Sequence, residues 1–130
     1  MSTHFDQLKT MLDCFCAVWQ TNDGSGLGSH FTEDGSLINP FGERASGRAA
    51  VAAMYTQYFG GMLRGTSTTV NVKNVHAIEN NHAFVDGDQT ITGPDGSVVM
   101  VVHLAALMRR EGGGGRFVDA RPFSYATPPA

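Results

Sequence analysis

Apolar residues recur at helical spacing near the start of the chain and again near its middle, then change to the two-residue period of strands. Phe5, Leu8, Leu12, Phe15 and Trp19, with Met11 and Val18 beside them, predict an amphipathic helix of about five turns. Asn22-Asp23-Gly24 ends it. The run SGLGSHF that follows predicts only a weak helical turn, because glycine dilutes it, and Glu33-Asp34 predicts an acidic turn. Gly35 to Asn39 predicts a strand, Pro40-Phe41-Gly42 a tight turn, and Glu43 to Ser46 an antiparallel return. Val51, Met54, Tyr55, Tyr58, Phe59 and Met62 predict a second helix from about Gly47 to Leu63.

The second half predicts four strands. Thr66 to Ile78 is rich in Thr and Val, Asn80-Asn81 turns it, and His82 to Thr92 is the next strand. Pro94-Asp95-Gly96 is a strong hairpin turn. Val98 to Arg110 has a continuous apolar centre, which predicts a central strand covered on both faces. Gly112 to Gly115 predicts a flexible turn, Arg116 to Tyr125 the last strand, and Pro128-Pro129 a short disordered tail from about residue 126. Helices first and a strand meander after predict an α+β domain spanning residues 1–130, with helices packed on one face of a curved antiparallel sheet.

Composition narrows the partners. A length of 130 residues fits one core, and 42% apolar residues are enough to fill it. The net charge is −3 and no Lys/Arg run occurs, which argues against nucleic acid. The longest apolar run, Val98 to Val102, is too short to span a bilayer, and MSTHFDQLK lacks the pattern of a signal peptide. Cys14 and Cys16 point to different faces of a helix, so they are expected as reduced thiols in a cytoplasmic protein. No Cys/His spacing suggests a metal, and Ser25-Gly26-Leu27-Gly28 lacks the Lys-Ser/Thr of a phosphate loop.

Three motifs carry a family resemblance. One is Trp19 followed by Asn22-Asp23. Another runs from Phe31-Thr32-Glu33-Asp34 through Asn39-Pro40-Phe41-Gly42-Glu43-Arg44 to Gly47-Arg48, and the third is Leu63-Arg64-Gly65. With the element order, they resemble the nuclear transport factor 2-like superfamily, also called SnoaL-like, and most closely its SgcJ/EcaC group. The resemblance covers nearly the whole chain. It implies a cone-shaped (cystatin-like) fold with a pocket between sheet and helices, and frequent dimers. Many functions share this scaffold, so the fold alone does not name the chemistry.

The ketosteroid isomerases are the branch whose mechanism is the first guess. There an aspartate on the strand before the Pro-Gly turn takes a proton beside a carbonyl, while a tyrosine and a protonated acid bind the enolate. Matched to this chain, the base falls on Asn39, the tyrosine on Phe15 and the acid near Ala105. An amide is no base, and the other two lack the required hydroxyl or carboxyl. The resemblance therefore argues against that reaction.

Other polar residues remain as candidates. Asp86 and Asp88 share a strand face about 7 Å apart, so burial together would raise one of their pKa values for acid–base work; outward, solvated carboxylates are the alternative. His103 lies mid-strand among apolar residues, as a proton shuttle or as a satisfied core histidine. Arg121 can hold a ligand carboxylate or pair with a neighbouring-strand carboxylate. Arg48, at a helix start, is expected to pair with Glu33 or Asp34. Phe15, Trp19, Phe41, Tyr55, Tyr58 and Phe59 supply either core or pocket wall.

Three functions are expected from this set. The first is binding of a small, partly apolar molecule through Phe15, Trp19, Asn39, Phe41, Tyr55, Phe59, Asp88 and Arg121. The second is a cofactor-independent isomerase, cyclase or dehydratase with His103 and Asp86 as the acid–base pair. The third is a non-catalytic dimerisation module. A homodimer through the sheet is expected in each case, because the apolar strand Val98 to Met108 needs cover on both faces.

Overall fold

Helix α1 (His4–Gln20) turns the predicted stripe inward: Leu8, Met11, Leu12, Phe15 and Trp19 are all buried. The computed structural model describes residues 4–111 and 114–129, with side chains of α1 from Asp6 onward. The side chain of Phe5 in the predicted stripe, and Gly112 of the predicted turn with Gly113, thus lie outside what is described. Asp23 then starts α2 (Gly24–Gly28), its carboxylate accepting the Gly26 N–H at 3.0 Å. The glycines of α2 have a packing reason. A Cβ on Gly28 would sit 2.7 Å from the Ala52 Cβ, and one on Gly24 would sit 2.5 Å from the Thr56 nitrogen. Their absence lets α2 lie directly on α3 (Arg48–Phe59).

The strands are β1 (Phe31–Ile38), β2 (Arg44–Ser46), β3 (Ser67–Glu79), β4 (His82–Thr92), β5 (Val98–Glu111) and β6 (Gly114–Phe123). They form one curved six-stranded sheet in the order β2-β1-β6-β5-β4-β3. Register shifts in β3, at the end of β4 and in β5 accompany the curvature. The helices fill its inner face. Alternation decides the rest: Ala83, Val85, Gly87, Gln89 and Ile91 of β4 are buried inside, as are Val102, Leu104, Ala106 and Met108 of β5. Each large side chain fully buried here contributes about 1.5–3 kcal/mol.

The α+β class is the one predicted, with four local corrections. The sheet is not wholly antiparallel, because β1 and β6 pair in parallel. These strands are joined only through the rest of the chain, so no hairpin fixes their direction. The expected acidic turn at Glu33-Asp34 lies within β1, exposed at a register shift between Phe31 and Ser36. Helix α3 stops at Phe59, where Gly60-Gly61 begins a turn, rather than reaching Leu63. Arg48 donates to the Phe31 carbonyl at 3.0 Å, which ties α3 to β1 without a carboxylate.

Candidate functional site

An apolar cavity of about 50 Å³ lies between the helices and the sheet, beside the β1–β2 turn. Trp19 comes to it from α1, Met54, Tyr55 and Tyr58 from α3, and Leu37 from β1. Gln89 and Ile91 of β4, Met100 and Val102 of β5, and Pro122 of β6 supply the sheet side. The β1–β2 turn and the segment after α3 bring Asn39, Pro40, Phe41, Met62 and Leu63. Phe41 and Met62 are exposed, as expected of residues at a mouth. Among the described residues, no carboxylate or histidine lines this chamber.

Asn39 is buried and fully engaged. Its side-chain oxygen accepts the backbone N–H groups of Phe41 and Glu43, each at 3.0 Å. Its amide nitrogen donates to the Glu43 carboxylate at 2.8 Å and lies 3.4 Å from the Tyr58 hydroxyl. Tyr58 in turn donates to the same Glu43 oxygen, and Phe41 stacks on its ring at 6.2 Å. The Tyr58 hydroxyl and then Asn39 hold the Glu43 carboxyl below its ordinary value, and Glu43 pushes the Tyr58 hydroxyl up. The residue at the resembling isomerases' base position therefore fixes a turn.

Deeper in, polar groups pair off through hydroxyls. The Trp19 indole donates to Thr66 Oγ1 at 3.0 Å, and that hydroxyl donates to the Leu63 carbonyl at 2.7 Å. Gln89 Nε2 donates to Thr68 Oγ1 at 3.1 Å, and that hydroxyl donates to the Thr90 carbonyl at 2.9 Å. Burial pushes the Tyr55 hydroxyl pKa up.

Four expected site residues line the chamber: Trp19, Asn39, Phe41 and Tyr55. Phe15 and Phe59 do not. They pack behind it, with ring centroids 6.0 and 5.4 Å from Trp19. The charged candidates face the other way. On β4 the parity that buries Val85 and Gln89 turns Asp86 and Asp88 to the outer sheet face. His103 faces out on β5 for the same reason. The register sets Asp88 opposite His103 and Asp86 opposite Ala105, so the expected pair of His103 with Asp86 is replaced. His103 Nδ1 lies 2.7 Å from Asp88, whose other oxygen lies 2.8 Å from Lys73 Nζ. Lys73, before His103, holds the Asp88 carboxyl below its ordinary range. Arg121 is exposed and pairs with Asp119 on its own strand, at 3.0 Å through both Nε and Nη2.

Sequence reasoning missed Gln89, Met100 and Val102 as lining residues. Ala83, Val85 and Ile91, at the same strand parity as Gln89, were the available signal for its inward face. No group of three or more His, Cys, Asp or Glu among the described residues is placed to hold a metal ion. No helix among them is long and apolar enough to cross a membrane. Cys14 is exposed and Cys16 half-buried, both free thiols.

The SnoaL-like domain family model matches residues 12–120. No curated protein matches the chain. Among solved structures, a cystatin-like domain of unknown function from Nostoc punctiforme superposes with a TM-score of 0.83 at 18% identity, covering 97% of this chain and 81% of that one. An NTF-2 like protein of unknown function from Shewanella oneidensis gives 0.79 at 14% identity, covering 94% and 100%. A ketosteroid isomerase-like protein from Erwinia carotovora atroseptica gives 0.72 at 17% identity, covering 98% and 100%. These likenesses establish the cystatin-like fold and nothing of the chemistry.

Proposed function

The chain belongs to the SnoaL-like domain family, and from that premise we propose that it binds a small, partly apolar molecule in its chamber. The observation that carries this reading is the cavity itself, walled by Leu37, Ile91, Met100 and Val102 with few polar groups among them. At about 50 Å³ it suits a small fragment or one arm of a larger ligand, and Met54, Met62 and Met100 give it adaptable walls. Native mass spectrometry of the purified protein should show a retained apolar mass, and small apolar compounds should raise its melting temperature. Val102→Trp, which fills the space, should abolish both while leaving the circular dichroism unchanged. Failure of a broad apolar series to stabilise the wild-type protein would sink the proposal.

The enzymatic alternative has less support. His103 and Asp86 stand on the outer face, away from the chamber, and Asn39 is spent on a turn. The third reading, association through the sheet, is favoured by a specific observation. Phe84, Val99, Val101 and Tyr125 are exposed at 42%, 44%, 55% and 65%, so β5 is covered on one face only in the single chain. A homodimer through this face is the partner proposed, compatible with ligand binding. Light scattering at micromolar concentration should give twice the chain mass, and Val101→Lys should return it to one. Membership of the SgcJ/EcaC group, resting on the Asn39–Arg44 block, and a cytoplasmic location remain part of the same proposal; cell fractionation tests the latter.

A further inference from the structure

The chamber carries a directional polar group that specifies its ligand, an argument that rests on the binding function just proposed. Gln89 is only 5% exposed, lies on the inner face of β4 and lines the cavity. One end of its amide is settled by a chain of bonds. The Thr68 hydroxyl donates its single hydrogen to the Thr90 carbonyl at 2.9 Å. Its oxygen can then only accept, so the group 3.1 Å away must be the amide nitrogen of Gln89. Gln89 Oε1 is left over, with no partner among the described residues, in a side chain that borders the cavity.

The other polar groups there are accounted for. Trp19 is committed to Thr66 and Asn39 to the β1–β2 turn. The Tyr55 hydroxyl is the exception. It makes no hydrogen bond among the described residues, and it can either donate or accept. The chamber thus offers one obligate acceptor, the second N–H of the Gln89 amide and one ambivalent hydroxyl inside an apolar wall.

We infer that this chamber selects ligands carrying a hydrogen-bond donor, an alcohol or an amide N–H on an apolar body, over carbonyl compounds of the same shape. A ketone can accept from Tyr55 or from the second Gln89 N–H, but it has no hydrogen to give and leaves Gln89 Oε1 unpaired, whereas an alcohol or amide N–H satisfies it. A site built to pair with a ligand hydrogen rejects the analogue lacking it more sharply than it rejects a missing methylene. This preference is opposite in sense to an enolising site, which needs donors around a substrate carbonyl.

The test is a matched pair, 1-indanol and 1-indanone, titrated into the full-length protein. Binding is followed in proton–nitrogen correlation spectra at the indole N–H of Trp19, which lines the chamber and is kept in every variant. The alcohol should bind about tenfold or more tightly. Gln89→Met, which keeps the volume and removes the acceptor, should bring the ratio close to one. Thr68→Val, which frees the amide to turn over, should also narrow it, and it serves if Gln89→Met does not fold. Equal or tighter binding of the ketone by wild-type protein would overturn the inference and leave the chamber reading standing. If neither compound binds, nor any smaller pair down to 2-propanol and acetone, which match a chamber of about 50 Å³, both readings fall together.

Discussion

The indole N–H of Trp19 donates to the hydroxyl of Thr66 at 3.0 Å, joining the end of α1 to the residue before β3 across 47 residues. Asn22 completes the joint. Its side-chain oxygen accepts the Gly65 N–H at 2.6 Å, and its amide nitrogen reaches the Thr66 carbonyl at 3.3 Å. The two lesser motifs of the sequence, Trp19 with Asn22-Asp23 and Leu63-Arg64-Gly65, are thus two halves of one contact beside the chamber.

Thr66→Val keeps the shape of this joint and strands a buried indole N–H. It should cost about 1–3 kcal/mol in urea unfolding. Thr66→Ser, which keeps the acceptor, should cost less. Equal losses in the two variants would show that the bond is not what matters.

Asn39→Ala removes the acceptor that closes the β1–β2 turn. A loss of about 1–3 kcal/mol is expected by the same measurement. Asn39→Asp keeps that acceptor but places a second carboxylate against Glu43. Its melting temperature should fall at pH 7 and recover as the pH is lowered toward 4. No isomerase activity should appear, because the new carboxylate remains tied to the turn.

The Glu43–Tyr58 bond should leave two marks on the pH profile. The Glu43 carboxyl is depressed below 4.5, so its contribution is in place above the ordinary carboxylate range and disappears as pH falls through the folded value. The Tyr58 hydroxyl is raised above 10.0, so its contribution is in place below that pH and disappears as pH rises through the folded value. Carbon-detected titration should place both midpoints accordingly. Tyr58→Phe should move Glu43 back toward 4.5; an unmoved midpoint would contradict the bond.

Gly28→Ala sets helix propensity against packing. The substitution gains about 0.8–1 kcal/mol of propensity. The new methyl would stand 2.7 Å from Ala52 Cβ, and forced overpacking costs about 1–3 kcal/mol. A net loss of stability is expected, partly restored by adding Ala52→Gly. A stabilised single variant would show that α2 can move off α3 freely.

The helical stripe from Leu8 to Trp19 and the strand meander were legible because burial of one face imposes a period on the residues themselves. The same pattern, with the Asn39–Arg44 block, carried the resemblance to the family and excluded an aspartate base at Asn39. What periodicity cannot supply is which of two strand faces turns inward when both carry polar residues. On β4 the alternatives were Asp86 and Asp88 or Gly87 and Gln89, and only docking against the helices chose the second pair. Gly24 read as the stop of the first helix and Gly28 as a helix weakener until their neighbours on α3 were known. The sequence by itself thus determined the elements, the fold class and the missing base. Tertiary structure alone decided the wall of the chamber and the direction of the Gln89 amide, because both depend on contacts between residues far apart in the chain or on neighbouring strands.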